Sequence, residues 1–264
     1  MNNRFFKILV LSLCFYCPLQ SFAWGMYGHR IVGEIAESYL SKKAKKEIRK
    51  ILGNESLAMA SNWADFIKSD TSYRYLDTWH YVNFKKGLNC ADFSAVLSVD
   101  TSVNAYTKIN FLAGELKRQT LTNETKQMYL RLLIHFVGDI HQPLHVSPEG
   151  TTGGNDIKVT WFSQASNLHR VWDSHLVEYQ QLSYTEHVKA INHTTRAQRD
   201  LLQNQPLCEW LFESYTLAQV LHDEITTPNP RLGYEYNFKH VATMNDQLLK
   251  GGVRLAGMLN EIFR

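Results

Sequence analysis

Apolar residues recur at helical spacing over most of this chain, with polar side chains on the intervening positions. Apolar positions at i, i+3, i+4 and i+7 are typical of a helix that buries one face. The pattern therefore predicts an all-α fold. The predicted helical stretches are residues 31 to 52, 104 to 119, 125 to 140, 206 to 224 and 243 to 263.

One stretch departs from the helical spacing. The segment DIKVTWF, residues 156 to 162, has the composition of a short strand and predicts one arm of a minor β-hairpin. A glycine-rich loop, SPEGTTGGN, precedes it. This loop lacks the lysine and the strand-to-helix context of a phosphate-binding P-loop, so we interpret it as a turn.

The first 23 residues have the features of a secretory signal peptide. Arg4 and Lys7 form a basic head, an apolar run extends from Ile8 to Leu19, and small residues precede a cleavage site after Ala23. The apolar run is too short for a stable membrane anchor. We therefore predict residues 1–23 as a signal peptide and residues 24–264 as one compact catalytic domain, a monomer that is secreted or periplasmic with no stable membrane association.

The formal charge of the chain without the predicted signal peptide excludes some classes of function. Without Arg4 and Lys7, the 28 Lys and Arg residues fall to 26, against 25 Asp and Glu residues. A protein that coats nucleic-acid phosphates would need many more cationic contacts. Near-neutrality is still compatible with a catalytic site that holds a few nucleotides at a time.

Two cysteines, Cys90 and Cys208, remain once the predicted signal peptide is removed. In an oxidising compartment, a pair of cysteines favours one disulfide bond. The alternative is two free buried thiols, since the sequence alone does not show that the two residues meet.

The stretch IHFVGDIHQPLH concentrates histidines beside one aspartate. His135 and Asp139 are four residues apart, about 40° around a helix, so both side chains can reach a common ion. His141 points elsewhere. Pro143 disfavours continuation of the helix, which allows His145 to return toward the same centre. The arrangement indicates a metal site.

The same spacing recurs in NLHRVWD, where His169 and Asp173 are again four residues apart. Asp65 in NWADFIK and His80 in TWHYVNF add ionisable groups in apolar surroundings, where an unpaired charge would be costly. Imidazole and carboxylate ligands suit zinc, with manganese and iron as the nearest competitors. Magnesium would require fewer histidines.

Six motifs in this order resemble the S1/P1 nuclease family of secreted zinc enzymes: WGMYGH, WAD, WHYVNF, HFVGDIHQPLH, GGN and NLHRVWD. The resemblance covers most of the chain after residue 23. It implies a helical fold of the type shared with zinc-dependent phospholipase C and three Zn²⁺ ions per chain. It also implies hydrolysis of single-stranded DNA and RNA to 5′-nucleotides, often together with activity on 3′-nucleotides.

The resemblance also assigns metal ligands, all of which are present in this sequence. One zinc ion would be held by Asp65, His80, His135 and Asp139. A second would be held by His145, His169 and Asp173. The third would be held by His29, the shared carboxylate of Asp139, and Trp24 through its α-amino nitrogen and carbonyl oxygen.

The implied chemistry uses water rather than a side chain as the nucleophile. Two zinc ions bridged by Asp139 would lower the pKa of a shared water toward about 7, and the resemblance implies cleavage of the P–O3′ bond. Lys68 matches a basic family position and would stabilise charge in the transition state; the alternative is an exposed helix lysine. Asn155 would contact the substrate or a metal-bound water.

Two further residues are predicted to contact the base. Tyr81 follows His80 where the family usually has phenylalanine, and its ring can stack on any base. Asn83 stands where the best-known members have aspartate. An amide both donates and accepts hydrogen bonds whereas a carboxylate only accepts, so the base preference is left open.

Two other functions are compatible with a zinc cluster. A zinc-dependent phospholipase C would use the same metals on a lipid phosphodiester, but Asp173 and the short spacing from Trp24 to His29 favour a nuclease. A non-enzymatic zinc-storing protein would not need Lys68 and Asn155 beside the ligands.

Overall fold

The computed structural model describes residues 24–118 and 120–264. The predicted signal peptide lies outside these residues. The described chain is mainly helical with a few short strands, which confirms the predicted all-α class. Within the described residues, no helix has both the length and the apolar content needed to cross a membrane.

The longer helices form the frame of the fold. Most of them begin with a side chain that caps the first backbone N–H groups, such as Ser41, Asn104 and Thr122. In chain order they are α1 (Met26–Ser38), α2 (Lys42–Leu52), α5 (Cys90–Ser98), α6 (Ala105–Leu116), α7 (Asn123–Asp139), α10 (Tyr184–Ile191), α11 (Arg196–Asn204), α12 (Leu207–Asp223) and α13 (Tyr234–Ile262), with the short helices α3 (Leu57–Ala60), α4 (Trp63–Phe66), α8 (Leu168–Arg170) and α9 (Leu176–Tyr179) between them.

Tighter and wider helical turns connect these helices near the predicted metal ligands. A π-helical turn, Val171–His175, joins α8 to α9. π-helical turns are uncommon in proteins, and those that do occur often lie at functional sites. The 3₁₀ helices are Ile67–Ser69, Thr71–His80, Pro143–His145 and Thr152–Gly154.

Two predicted helix boundaries were wrong. The stretch 31 to 52 is not one helix, because the chain turns at Tyr39 and the Ser41 hydroxyl accepts a hydrogen bond from the Ala44 N–H, which starts α2. The last helix begins nine residues earlier than predicted. Its first turns carry the exposed rings of Tyr234 and Phe238, which hide the amphipathic pattern.

The strands form two small sheets. Strands β3 (Lys158–Trp161) and β4 (Gln164–Asn167) pair antiparallel, which confirms the predicted hairpin, and β5 (Arg231–Leu232) adds parallel to β3. Strands β1 (Val82–Phe84) and β2 (Val146–Pro148) pair in parallel, with Val82 opposite Val146. The sequence did not predict this pair, since two three-residue strands far apart in the chain have no periodic signal.

Helix α7 lies in the middle of the fold, where it packs against α1, α3, α4, α6 and α13. Every residue from Leu132 to Asp139 is buried, so the C-terminal half of this helix is enclosed on all sides. Close packing of α1 requires small neighbours: a Cβ at Gly252 of α13 would lie only 2.5 Å from the Ile35 side chain. The fold therefore places the polar residues of α7 in an apolar interior.

The predicted disulfide is wrong, because Cys90 and Cys208 are both free. Cys90 is exposed and Cys208 is partly buried, so the alternative of two buried thiols is also incorrect. The Leu88 N–H donates to the Tyr215 hydroxyl at 3.0 Å, which sets the start of α5 beside the middle of α12. Cys208 lies about two helical turns from Tyr215, toward the N-terminal end of α12.

Candidate metal centre

Helix α7 supplies two inward side chains one turn apart. His135 Nε2 and Asp139 Oδ2 are 3.4 Å from each other, and both side chains are fully buried. The helix ends at Asp139, and Pro143 starts a single 3₁₀ turn that carries His145 back into the interior. The backbone break at Pro143 thus adds a third polar side chain to this region.

The first cluster joins these α7 residues to three other elements. His29 comes from α1, Asp65 from α4 and His80 from the end of a 3₁₀ helix. His80 Nδ1 lies 2.9 Å from Asp139 Oδ2, and His29 Nε2 lies 3.3 Å from Asp139 Oδ1. His135 Nε2 lies 3.7 Å from Asp65 Oδ1. Five ligand-type side chains therefore meet within one buried volume.

The second cluster consists of His145, His169 and Asp173. His169 Nε2 is 3.1 Å from Asp173 Oδ2, and His145 Nε2 is 3.9 Å from Asp173 Oδ1. The π-helical turn begins directly after α8 and contains Asp173, and the Gln142 side chain donates a hydrogen bond to the same carboxylate. These contacts hold the three side chains toward one another.

Backbone carbonyl groups orient three of the histidines. A carbonyl oxygen only accepts hydrogen bonds, so the Nδ1 of each ring carries the proton and its Nε2 presents a lone pair to the cluster. This is the usual second contact of a histidine that binds a metal. The three bonds are His135 Nδ1 to Ser61 O at 2.6 Å, His145 Nδ1 to His80 O at 2.7 Å, and His169 Nδ1 to Gly153 O at 2.7 Å.

Several buried polar atoms of the clusters make no hydrogen bond within the described residues. They include His29 Nε2, Asp65 Oδ2, Asp139 Oδ1 and His145 Nε2. His29 Nε2 and Asp139 Oδ1 are only 3.3 Å apart, yet their orientation is not that of a hydrogen bond. Buried polar atoms without a partner are costly, and a cation would satisfy them. The donor set and its unpaired atoms fit metal ions.

Burial also sets the protonation of these groups. Desolvation, followed by neighbouring cationic groups, holds the pKa of His29, His80 and His145 well below the ordinary value for histidine. Neutral imidazole is the form that binds metals. Desolvation, and then the Asp65 carboxylate, raises the pKa of Asp139. A bound cation would offset both contributions and favour the carboxylate form.

Three groups of side chains in the described residues have the geometry to hold a metal ion. They are His29, Asp65 and His135; His80, His135 and Asp139; and His145, His169 and Asp173. Together they include all eight side chains that the sequence predicted as ligands. The grouping differs from the predicted one, since Asp65 groups with His29 and His135 and not with His80 and Asp139.

Trp24 lies against the same region, with its side chain fully buried. A Cβ at Gly28 would come 2.9 Å from the Trp24 Cβ, so glycine lets Trp24 fold back over the first turn of α1. The next residue, Gly25, donates its N–H to the Asp173 carbonyl oxygen at 2.6 Å. These contacts place Trp24 between α1, which carries His29, and the π-helical turn.

The clusters open into a cavity of about 660 Å³. His80, His145 and His169 line it, and so do all four residues predicted to contact substrate: Lys68, Tyr81, Asn83 and Asn155. The structure therefore brings the predicted ligands and the predicted substrate contacts to one site.

Lys68 and Asn155 are held in place at this cavity. Lys68 Nζ lies 2.6 Å from Asp65 Oδ1, and its side chain is only 18% exposed, which rules out the alternative of an exposed helix lysine. The Asn155 side-chain amide donates to the Thr152 carbonyl oxygen at 3.0 Å. Tyr81 and Asn83 are exposed at the cavity, whereas Val82 between them is buried.

The sequence interpretation missed two charged residues at the cavity, Arg74 and Asp77. Both lie on the 3₁₀ helix Thr71–His80, which has about three residues per turn. Residues 74, 77 and 80 therefore share one face, and His80 brings the other two to the site. The three-residue spacing of positions 74, 77 and 80 was the signal in the sequence. It predicts that they share one face only if the segment is expected to be a 3₁₀ helix.

Known proteins resemble this chain over nearly its full described length. The family described as S1/P1 Nuclease matches residues 24–264. Endonuclease 4 of Arabidopsis thaliana is 31% identical over 100% of this chain and 96% of its own length. Nuclease S1 of Aspergillus oryzae is 26% identical over 92% of each chain, and nuclease P1 of Penicillium citrinum is 27% identical over 90% of this chain and 97% of its own.

Proposed function

Since this chain belongs to the S1/P1 nuclease family, we propose that it is a zinc-dependent nuclease that hydrolyses P–O3′ bonds of single-stranded DNA and RNA to 5′-nucleotides. It is a hydrolase that cleaves nucleic-acid phosphodiesters. We also propose that it removes phosphate from 3′-nucleotides, because the cavity is large enough for one nucleotide. The observation that carries the proposal is a buried His and Asp cluster opening into a cavity with two cations, Lys68 and Arg74.

The proposed cofactors are three Zn²⁺ ions per chain. Zinc, when bound, acidifies water to give a nucleophile at neutral pH and offsets negative charge on a phosphate. The donor set supports zinc, because it combines imidazole and carboxylate without a thiolate. The proposed ligands are Asp65, His80, His135 and Asp139 for one ion, His145, His169 and Asp173 for the second, and Trp24, His29 and Asp139 for the third.

Asp139 has the geometry of a bridging ligand. Its Oδ2 lies 2.9 Å from His80 Nδ1, while its Oδ1 lies 3.3 Å from His29 Nε2 on a different element. Each carboxylate oxygen therefore faces a different imidazole. One aspartate would serve two ions, and its removal would disturb both.

Lys68 and Arg74 give the cavity positive charge where a phosphate would enter. Lys68 is anchored to Asp65, so its ammonium group is already oriented before substrate binds. Fixed cations stabilise the extra negative charge that develops on phosphorus oxygens in the transition state. Asn155, held by the Thr152 carbonyl, would add a polar contact to the same phosphate.

Tyr81 and Asn83 would bind the base beside the scissile phosphate. Tyr81 is extended and directly precedes β1, and successive residues of extended chain point to opposite sides, so Tyr81 and Asn83 share the exposed side while Val82 is buried. The tyrosine ring would stack on the base, which contributes about 1–3 kcal/mol without strong preference for its identity. Asn83 would both donate to and accept from the base edge. A stacked base must first leave any duplex, which supports single-stranded substrates.

We further propose that the protein is exported and acts as a monomer without stable membrane association. The basic head, apolar run and small residues of positions 1–23 support cleavage after Ala23. The family match, which begins at residue 24, supports residues 24–264 as the mature catalytic domain.

The proposed activity is tested with purified protein beginning at Trp24. Single-stranded DNA, RNA and 3′-AMP are each incubated with the protein, with protein treated with a chelator, and with treated protein after zinc is restored. We expect hydrolysis of all three, a loss of at least about a hundredfold on chelation, and recovery with zinc, because metals supply the nucleophile.

Phosphatidylcholine serves as the competing substrate in the same assay. Release of a phosphorylated headgroup without cleavage of nucleic acid would favour the phospholipase alternative. Activity that survives complete metal removal would contradict the proposed zinc dependence.

A further inference from the structure

A row of aromatic rings and one lysine lies where the 3₁₀ helix Thr71–His80 meets helix α6. The Ala105 N–H donates to the Tyr81 carbonyl oxygen at 3.0 Å, so α6 starts beside Tyr81. Lys108 Nζ lies 4.5 Å from the ring centre of Trp79 and 5.3 Å from that of Phe111. We call Tyr75, Trp79, Lys108 and Phe111 the aromatic strip.

The strip packs against the core on one side and is exposed to solvent on the other. Trp79 is mostly buried and packs on Phe136 in the core, with ring centres 6.1 Å apart. The Tyr75 ring meets Trp79 edge to face at 5.7 Å. Tyr75 is nevertheless 53% exposed and Phe111 is 41% exposed. Rings that are fixed on one side and open on the other are suited to stacking on a ligand.

The strip adjoins the cavity through a shared 3₁₀ helix, on which Tyr75 and Trp79 occupy faces next to the one that lines the cavity. Arg74 and Asp77, which line the cavity, lie on the same 3₁₀ helix as Tyr75 and Trp79. From Ala105 to Phe111 helix α6 rises about 9 Å. Stacked nucleotides are spaced by about 3.4 Å, so the distance corresponds to about two or three nucleotides beyond the one at Tyr81.

The chemistry of the strip matches a single strand. Aromatic faces stack on unpaired bases, and a lysine between them can meet a phosphate. The Lys108 ammonium lies over the faces of Trp79 and Phe111, a contact that leaves its positive charge unneutralised. The positive charge of Lys108 among the rings distinguishes the strip from a purely apolar interface between proteins.

We propose that the aromatic strip binds two or three nucleotides of single-stranded DNA or RNA that flank the nucleotide held at Tyr81. This inference rests on the proposed function and adds a determinant of substrate length to it. A long strand gains contacts with the strip that a 3′-mononucleotide cannot make. The strip would therefore strengthen the binding of long substrates and leave the chemical step unchanged.

Two separate variants test the strip, Phe111→Ala and Lys108→Glu. Their matched controls are Phe238→Ala, an 85% exposed ring on α13, and Lys46→Glu, an exposed lysine on α2. Steady-state kinetics are measured for each protein on a single-stranded oligonucleotide of about 12 residues, long enough to cover the strip, and on 3′-AMP. For both strip variants we expect KM to rise about tenfold on the oligonucleotide, with kcat on that substrate and both kinetic parameters on the mononucleotide within about twofold of the parent protein.

The possible results of this experiment distinguish a failure of the strip proposal from a failure of the proposed function. If the parent protein cleaves the oligonucleotide but the strip variants match the control variants, the strip does not bind substrate. An equal loss on both substrates would also overturn the inference, because a disturbed fold acts on all substrates. A change in the molecular mass of Phe111→Ala in solution would instead identify the strip as an interface between copies. A parent protein inactive on every nucleic acid would refute the proposed function itself, and the strip with it.

Discussion

Replacement of Asp139 by asparagine is expected to lower kcat/KM on single-stranded DNA by at least about a thousandfold, equivalent to about 4 kcal/mol of transition-state stabilisation. Asp139 presents Oδ1 toward His29 and Oδ2 toward His80, so one carboxylate would serve two metal ions. An asparagine keeps the size of the side chain but provides one neutral oxygen and an NH₂ group that cannot bind a cation. The variant should bind fewer zinc ions than the parent protein.

The matched control is Asp156→Asn, an exposed aspartate directly after the glycine-rich loop, which should keep the parent rate. Unfolding temperatures measured in chelator show whether the fold survives each change. Because the buried Asp139 carboxylate lies in an apolar interior, the neutral amide should not destabilise the metal-free protein. A variant with full zinc content and the parent rate would contradict a bridging role for Asp139.

One alanine added before Trp24 is expected to cause the second large effect. The proposed third zinc site uses the free α-amine of Trp24, since α-amines ordinarily have a pKa of about 7.7–8.0 and release their proton readily to a metal. In the extended chain this nitrogen becomes a peptide amide, whose lone pair is delocalised. The buried Trp24 ring and the Gly25 contact to Asp173 leave little freedom for another group to take its place.

Zinc content and hydrolysis of single-stranded DNA are measured for the protein beginning at Trp24 and for the extended form. We expect one zinc ion fewer, or much weaker binding of one ion, and a loss of activity of about a hundredfold or more. An alanine added after the exposed Arg264 is the control and should change neither quantity. Equal zinc content and equal rates in all three proteins would refute a role for the Trp24 amine. Export and activation would be coupled if the prediction holds.

Local spacing predicted the parts of the site that lie on single elements. His135 and Asp139 are adjacent on α7, and Pro143 turns the chain so that His145 faces the interior, as their positions in the sequence indicate. These features depend on backbone geometry over a few residues, which the sequence specifies directly.

The ligands meet at one site because of contacts between segments that are far apart in the chain. The local spacing of residues does not specify these contacts. The parallel pair of β1 and β2 sets Val82 opposite Val146, and the His80 carbonyl then accepts a hydrogen bond from His145. At the level of sequence, this meeting of distant segments followed from the family resemblance. The role of Arg74 was not predicted, because Arg74 reaches the cavity on a 3₁₀ helix, whose repeat of about three residues was not expected from the sequence.

The disulfide prediction failed for a related reason. It used the number of cysteines and the expected compartment, whereas bond formation depends on which parts of α5 and α12 meet. Cys90 begins its helix beside Tyr215 in the middle of α12, whereas Cys208 lies in the first turn of α12.

The central claim is that this fold assembles a centre of three zinc ions, and X-ray diffraction from crystals of the protein beginning at Trp24 tests it most directly. Data are collected just above and just below the zinc absorption edge, so that the difference identifies zinc rather than another metal. The account predicts three difference peaks: one among Asp65, His80, His135 and Asp139, one among His145, His169 and Asp173, and one between Trp24, His29 and Asp139. Fewer than three peaks in fully active protein, or density at these positions with no change across the zinc edge, would contradict it.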